Sequence, residues 1–285
     1  MNTATAARPI TQAELEETLG AIRIPACPAA VTEVMREVEK KEPQLKVLAR
    51  IIASDVGMSA MAVKLANSPI FSAGSKVKSV QQAANRLGTN NIRSVAVTVA
   101  LRNTAGDLPV EMMERFWARA STLALATGVL ARKHVGISPE AAYTYALFQD
   151  AAIPVMMLNF PEYAAIYAGA GECSDHLIDQ EREHCHCDHT VVGWLLARNW
   201  GLPARIASAI RYHHDPELYI LPEQELPSDA LALIAVTLIA EHVIADFIEG
   251  ARPVDERALE NARTFLGTSE ADLDEFRDII AHALG

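Results

Sequence analysis

Apolar positions in this chain recur at helical spacing, and no stretch shows the period-two alternation of a half-buried strand. The run from Val56 to Ala66 is representative. Met58, Met61, Ala62 and Leu65 fall on one stripe behind Asp55, a good N-cap residue. The same pattern predicts helices over residues 11–19, 30–40, 43–54, 79–88, 90–102, 110–135, 138–150 and 161–168. Gly20, Gly88, Gly136 and Gly169 stand where helices should stop, and Pro154 should break or kink its helix. Residues 67–78 and 215–227 read as loops, and residues 103–109 as a connection between two lobes. The run 228–247 reads as a helix apolar on all sides, hence buried, with two short amphipathic helices after it.

The stretch His184 to Asp215 organises the chemistry. Asp188 should cap a helix from His189 to Asn199, Gly201 should end it, and Pro203 should open the next. His189, Val192, Gly193 and Leu196 share one face, and Ile206, Ile210, His213 and His214 share another. A hairpin folded at Gly201 brings His189 level with His213, and Gly193 lets the helices approach closely. The spacing predicts a histidine cluster at one end of a buried helix pair.

Composition narrows the classes. The chain has 285 residues, half of them apolar, and a formal net charge of −11. That balance disfavours binding along a phosphate backbone, which needs clustered Lys and Arg. The four cysteines, Cys27, Cys173, Cys185 and Cys187, have no disulfide-framework spacing and read as reduced thiols. The opening residues lack a signal-peptide core, and residues 230–240 are too few to span a bilayer. The expectation is a soluble, cytoplasmic protein with no membrane partner.

Some features have a plain reading beside the sharp one. The run His184–Cys187 mixes metal-binding side chains, but adjacent residues seldom face one ion and no second pair accompanies it. A solvated loop leading into Asp188 is the expectation there. Residues 80–87 and 91–102 resemble a helix-turn-helix, but the second helix offers only Asn91, Arg93 and Arg102 as readers, so core packing is expected.

Together, several motifs resemble the HDOD domain of bacterial signalling proteins. They are the proline-bearing start IPACP, Ser54-Asp55-Val56, Leu65-Ala66-Asn67-Ser68, Phe116-Trp117, Asp188-His189, Trp200-Gly201-Leu202-Pro203 and His213-His214. The resemblance covers about residues 22–216. It implies an all-α, multi-helix HDOD/HD-domain-like bundle in two packed lobes, 22–105 and 110–216. An N-terminal helix (1–21) would precede it, and a helical extension (217–285) would pack on the second lobe.

The HDOD domain looks like a relative of HD-type metal-dependent phosphohydrolases, one that has lost part of their catalytic set. Carried over by motif, a first histidine falls on Ala120, and a His-Asp dyad falls on Gln149 and Asp150. Later histidines fall on His189 and on His213 or His214. With Ala120 and Gln149 in place of imidazoles, no catalytic residue and no cofactor are expected. A metal, if held, would use Asp150, His189, His213 and His214. The leading expectation is a metal-free, fully hydrogen-bonded polar cluster in a non-catalytic regulatory module that binds a signalling protein or a small ligand such as a nucleotide. Self-association is compatible with it. The alternatives are an HD-type phosphohydrolase or phosphodiesterase with a reduced metal site, and a nucleic-acid-binding regulator.

Overall fold

The structure is a computed structural model that describes residues 20, 22–71, 74–104, 106, 108–169, 174–245, 247–248 and 254–284. The helix expected over 11–19, and Cys173, lie outside the described residues. Among the described residues every regular element is helical, as the absence of period-two patterning required. No described helix is long and apolar enough to cross a membrane.

The chain divides into two compact units. One comprises Ala26–Gly106 with Asn199–Gly201; the other contains Asp107–Arg198 and Leu202–Gly285. The first unit holds α1 (Ala29–Val38), α2 (Leu45–Ala53), α3 (Val56–Ala66) and α4 (Val80–Thr104). Asp55 caps α3, its Oδ1 accepting from the Met58 amide at 2.8 Å. Met58, Ala62 and Leu65 bury the expected stripe. Gly88 has φ 72° and splits α4 into two helical runs, the stop the sequence indicated. The second run is core: Ile92, Val95, Ala96 and Leu101 are buried. Asn91 is buried too, its amide bonded to the Leu87 carbonyl, so it is not presented to a groove. Asn67 clamps the loop after α3. Its side chain accepts from the Val77 amide at 2.8 Å and donates to the Val77 carbonyl at 2.9 Å.

The second unit holds α5 (Val110–Ala131), α6 (Pro139–Phe148), α7 (Ile153–Asn159), α8 (Tyr163–Gly169), α9 (Ser174–Cys185) and α10 (His189–Asn199). It continues with α11 (Ala204–Tyr212), α12 (Ser228–Ile244), α13 (Glu256–Leu266) and α14 (Glu270–Leu284). Pro154 starts α7 rather than kinking α6, since its missing N–H costs nothing in a first turn. The largely apolar α12 is the hub; it packs on α5, α6, α11, α13 and α14. Between α10 and α11, Gly201 takes φ 70° and ends the first helix.

One expectation holds only in part here. Residues 184–187 are solvated only in part: His184 and His186 are exposed, but α9 runs to Cys185, and Leu177, Ile178, Glu181, Cys185 and Cys187 are buried. His186 stops the helix by adopting φ 56°. That left-handed residue keeps both flanking cysteines inside while His186 itself is exposed.

Candidate metal centre

The α10–α11 hairpin forms as the spacing implied. A Cβ on Gly193 would stand 2.8 Å from Ile210 Cγ2, closer than packed carbons tolerate. This contact permits the two helices to align their histidine ends. Asp188 caps α10, its Oδ1 accepting from the Thr190 and Val191 amides at 3.1 Å each. The Asp188 Oδ2 takes the Arg182 Nε at 2.9 Å. Asp188 is thus occupied with the helix start, and His189 is left to face the interior.

Asp150 follows α6, His189 opens α10, His213 caps the C-terminus of α11, and His214 follows it. One ligand atom from each of the four lies within 4.8 Å of the others. The Nε2 atoms of His189 and His213 each stand 3.5 Å from Asp150 Oδ1. The His213 and His214 rings lie 4.1 Å apart between centroids.

The outer nitrogens explain how the inner ones are aimed. His213 Nδ1–H donates to the Ile210 carbonyl at 2.8 Å. His189 Nδ1–H donates to the Glu181 carboxylate at 2.8 Å. Each ring therefore presents Nε2 to Asp150 in a long 3.5 Å contact, and neither buried Nε2 has a closer partner among the described residues. The expected polar cluster of Asp150, His189 and His213 forms, well bonded on its outer nitrogens and with long contacts on its inner side.

That spacing fits an ion between the inner atoms. Two donors bound at about 2.1 Å in a tetrahedral arrangement stand about 3.4 Å apart, close to the spacing seen. Three imidazoles and a carboxylate suit zinc and other borderline divalent metals. Burial opposes ionisation of Asp150, but the His189 and His213 rings beside it more than reverse this and hold its carboxyl well below the usual range. Burial likewise opposes a charged His189, but the Glu181 charge and hydrogen bond and the neighbouring Asp150 carboxylate lift it to about 10. A metal bound at these nitrogens competes with protons.

The site opens into a cavity of about 350 Å³. From α5 its wall is Arg119; Ala120, next in the chain, does not line it. Gln149, where the resemblance implied a histidine, is buried and donates to Glu241 Oε1 at 2.9 Å. Its amide is committed to a carboxylate on α12. Burial raises the Glu241 pKa, and the Arg119 charge opposes that rise. Arg182 and Arg257 add positive charge to the wall, and Tyr145 and Tyr219 add rings.

Comparison with known proteins identifies the scaffold. The model of the HDOD domain matches residues 24–216. The chain belongs to the HDOD domain family. A crystal structure of an HDOD domain protein of unknown function from Geobacter sulfurreducens is 22% identical. It covers 94% of this chain and 96% of its own, with a TM-score of 0.63. A protein from Shewanella amazonensis SB2B, provisionally described as a phosphohydrolase, is 21% identical over 98% of this chain and 95% of its own, with a TM-score of 0.66. At these identities the solved structures support the fold alone. An uncharacterised protein from Treponema pallidum (strain Nichols) is 25% identical over 247 residues. The match takes 82% of this chain and 44% of that relative, so the chain spans less than half of that relative's length.

The HDOD span supplies all four clustered residues. The cavity is completed from beyond it, by Leu218 and Tyr219 before α12, Glu241 on α12 and Asn261 on α13. Sequence reading missed Glu241, Arg119 and, above all, Glu181. A signal for Glu181 was present: Leu177, Ile178, Glu181 and Cys185 keep helical spacing.

Proposed function

We propose that this HDOD protein is a signal-transduction module that holds a divalent ion at Asp150, His189, His213 and His214 and acts by binding rather than turnover. The reading rests on one observation above the others. The Gln149 side chain, at the dyad position, is turned into a hydrogen bond with Glu241 and adds no imidazole to the site. What remains is a single-ion ligand set. Such an ion supplies a fixed positive charge and a Lewis-acid seat for an anionic ligand. Around it the Arg119 and Arg257 guanidinium groups stand among the carboxylates of Asp179, Asp215, Asp255 and Glu241, so the ion itself would be the main draw for negative charge, and Tyr145 and Tyr219 favour a ring-bearing or apolar body. A partner protein would read the occupied state.

The second reading is a one-metal phosphohydrolase. It is favoured by the open cavity and its guanidinium groups. Two measurements separate the readings. Elemental analysis of the purified protein should find about one divalent ion per chain, and Asp150→Ala should remove it. Assays with nucleotides and cyclic dinucleotides in manganese or magnesium should show binding and no product. Robust turnover that disappears in Asp150→Ala would make the protein a hydrolase.

A further inference from the structure

Glu181 is the most deeply buried carboxylate described: its side chain is 0% exposed. Such a group is costly unless its charge is answered. Three donors answer it. The Tyr163 hydroxyl donates to Oε1, the His189 backbone amide to Oε2 at 2.9 Å, and His189 Nδ1–H to Oε2 at 2.8 Å. Helix α9 brings Glu181 into place through Leu177 and Ile178, and α8 contributes Tyr163. Among the described residues, no cation other than His189 forms an ion pair with Glu181. Core packing alone would be served better by an apolar residue.

We infer that Glu181, steadied by Tyr163, is the positioning residue of the metal centre: it holds the His189 ring with Nδ1–H outward and Nε2 toward Asp150, and its charge strengthens the ring as a ligand. The inference rests on the metal reading above. Two hydrogen bonds to the same residue, one to the backbone and one to the ring, fix both the start of α10 and the rotation of its first side chain. His213 achieves the same aim with a neutral carbonyl. The two ligands therefore differ in basicity. A carboxylate behind a metal-bound imidazole raises its donor strength, and loss of such a group typically weakens metal binding about 10–100-fold.

The test compares wild type, Glu181→Gln, Tyr163→Phe and the exposed control Glu183→Gln. Zinc affinity is measured by competition with a chelator, and the His189 ring is followed by nitrogen-15 NMR in the zinc-loaded protein. Glu181→Gln should lose about 10–100-fold in affinity. The downfield proton of its Nδ1–H should move upfield. Tyr163→Phe should lose a few-fold and Glu183→Gln nothing. If wild type binds zinc and Glu181→Gln binds it equally well, the positioning role is wrong while the metal reading stands. If wild type takes up no zinc, the metal reading falls and the inference with it. Should Glu181→Gln fail to fold, Tyr163→Phe decides, and unchanged affinity there overturns the inference.

Discussion

The two units bury very different interiors. In Ala26–Gly106 with Asn199–Gly201, the buried ionisable side chain among the described residues is Glu37. It accepts from the Gln44 amide at 2.9 Å and pairs with Lys40, so it acts as a local brace. The other unit buries Glu181, Asp188, His189, Arg211, His213 and Asp215. Folding alone does not ask for this set, because buried charges repay their desolvation only with good partners. Asp188 and Arg211 have such partners, in the α10 cap and at Thr190. His189 and His213 have close partners on one ring nitrogen and a long 3.5 Å contact with Asp150 on the other. One unit is a scaffold of apolar stripes. The other keeps imidazoles pointed at a carboxylate with a gap between them.

Truncation in the scaffold should be the most damaging change to stability and the least to the site. Leu48 is fully buried, and Leu48→Ala should cost about 2–5 kcal/mol through lost transfer energy and the cavity left behind. The folded fraction should still take up metal. Denaturant midpoints and zinc titration check both halves, and loss of zinc binding by folded Leu48→Ala would erase the contrast between the units. Gly193→Ala comes next. Its Cβ would meet Ile210 Cγ2 at 2.8 Å and Ala152 Cβ at 3.6 Å, so α10 and α11 must separate. The expected loss is about 1–3 kcal/mol, with weaker zinc binding because the histidine ends move apart. The control lies in the scaffold: Gly57→Ala meets Val99 Cγ1 at 3.1 Å and should cost less. Equal midpoints for Gly193→Ala and wild type would mean the close approach is not needed.

Much of this was legible in the chain, for reasons that differ by residue. Helix ends were readable where a cap or a left-handed residue imposes them locally, as at Asp55, Ser138, Asp188, Gly88 and Gly201. The convergence of His189 and His213 followed from hairpin symmetry. Glu181 was legible only as a position on the stripe of Leu177, Ile178 and Cys185. A glutamate amid charged neighbours reads as surface, and tertiary packing is what shows that α9 turns that stripe inward and sets Glu181 behind His189. The same packing buries Cys185 and Cys187. Nor could spacing show that the Gln149 amide would find Glu241, 92 residues away. The expectation of a satisfied, metal-free cluster assumed that each buried imidazole finds two partners. The backbone and Glu181 occupy the outer nitrogens and leave the inner ones facing Asp150.

A smaller effect belongs to the second unit away from the site. His134 lies edge-on to Phe276 with its ring centroid 6.0 Å away, and its Nε2 is buried without a hydrogen-bond partner. Burial lowers its pKa, against the pull of Asp272. The folded protein therefore binds this proton less readily than the unfolded chain. The contribution to stability is complete above about pH 6.5 and is lost as pH falls from there toward the folded-state value. Between about pH 7.5 and 5, His134→Phe should show a shallower fall in denaturation midpoint than wild type. Parallel curves would remove His134 as a source of acid sensitivity.

The smallest effect compares thiols in the two units. Cys27 is half-buried and belongs to the scaffold. Cys185 and Cys187 are buried at the end of α9. Burial, with the Glu181 charge adding to it, pushes the Cys185 thiol up to about 11. Burial and the Cys185 and Asp188 charges push Cys187 to about 12. The thiolate is the reactive form, so at about pH 8 an aromatic disulfide reagent should modify Cys27 well before either of them. Zinc at the four-residue site should leave the two rates unchanged, because neither sulfur belongs to the cluster. Protection of Cys185 or Cys187 by zinc, followed by mass spectrometry of the labelled peptides, would place a second ion at the end of α9. The contrast between a plain scaffold unit and a single ion-ready centre would then have to be redrawn.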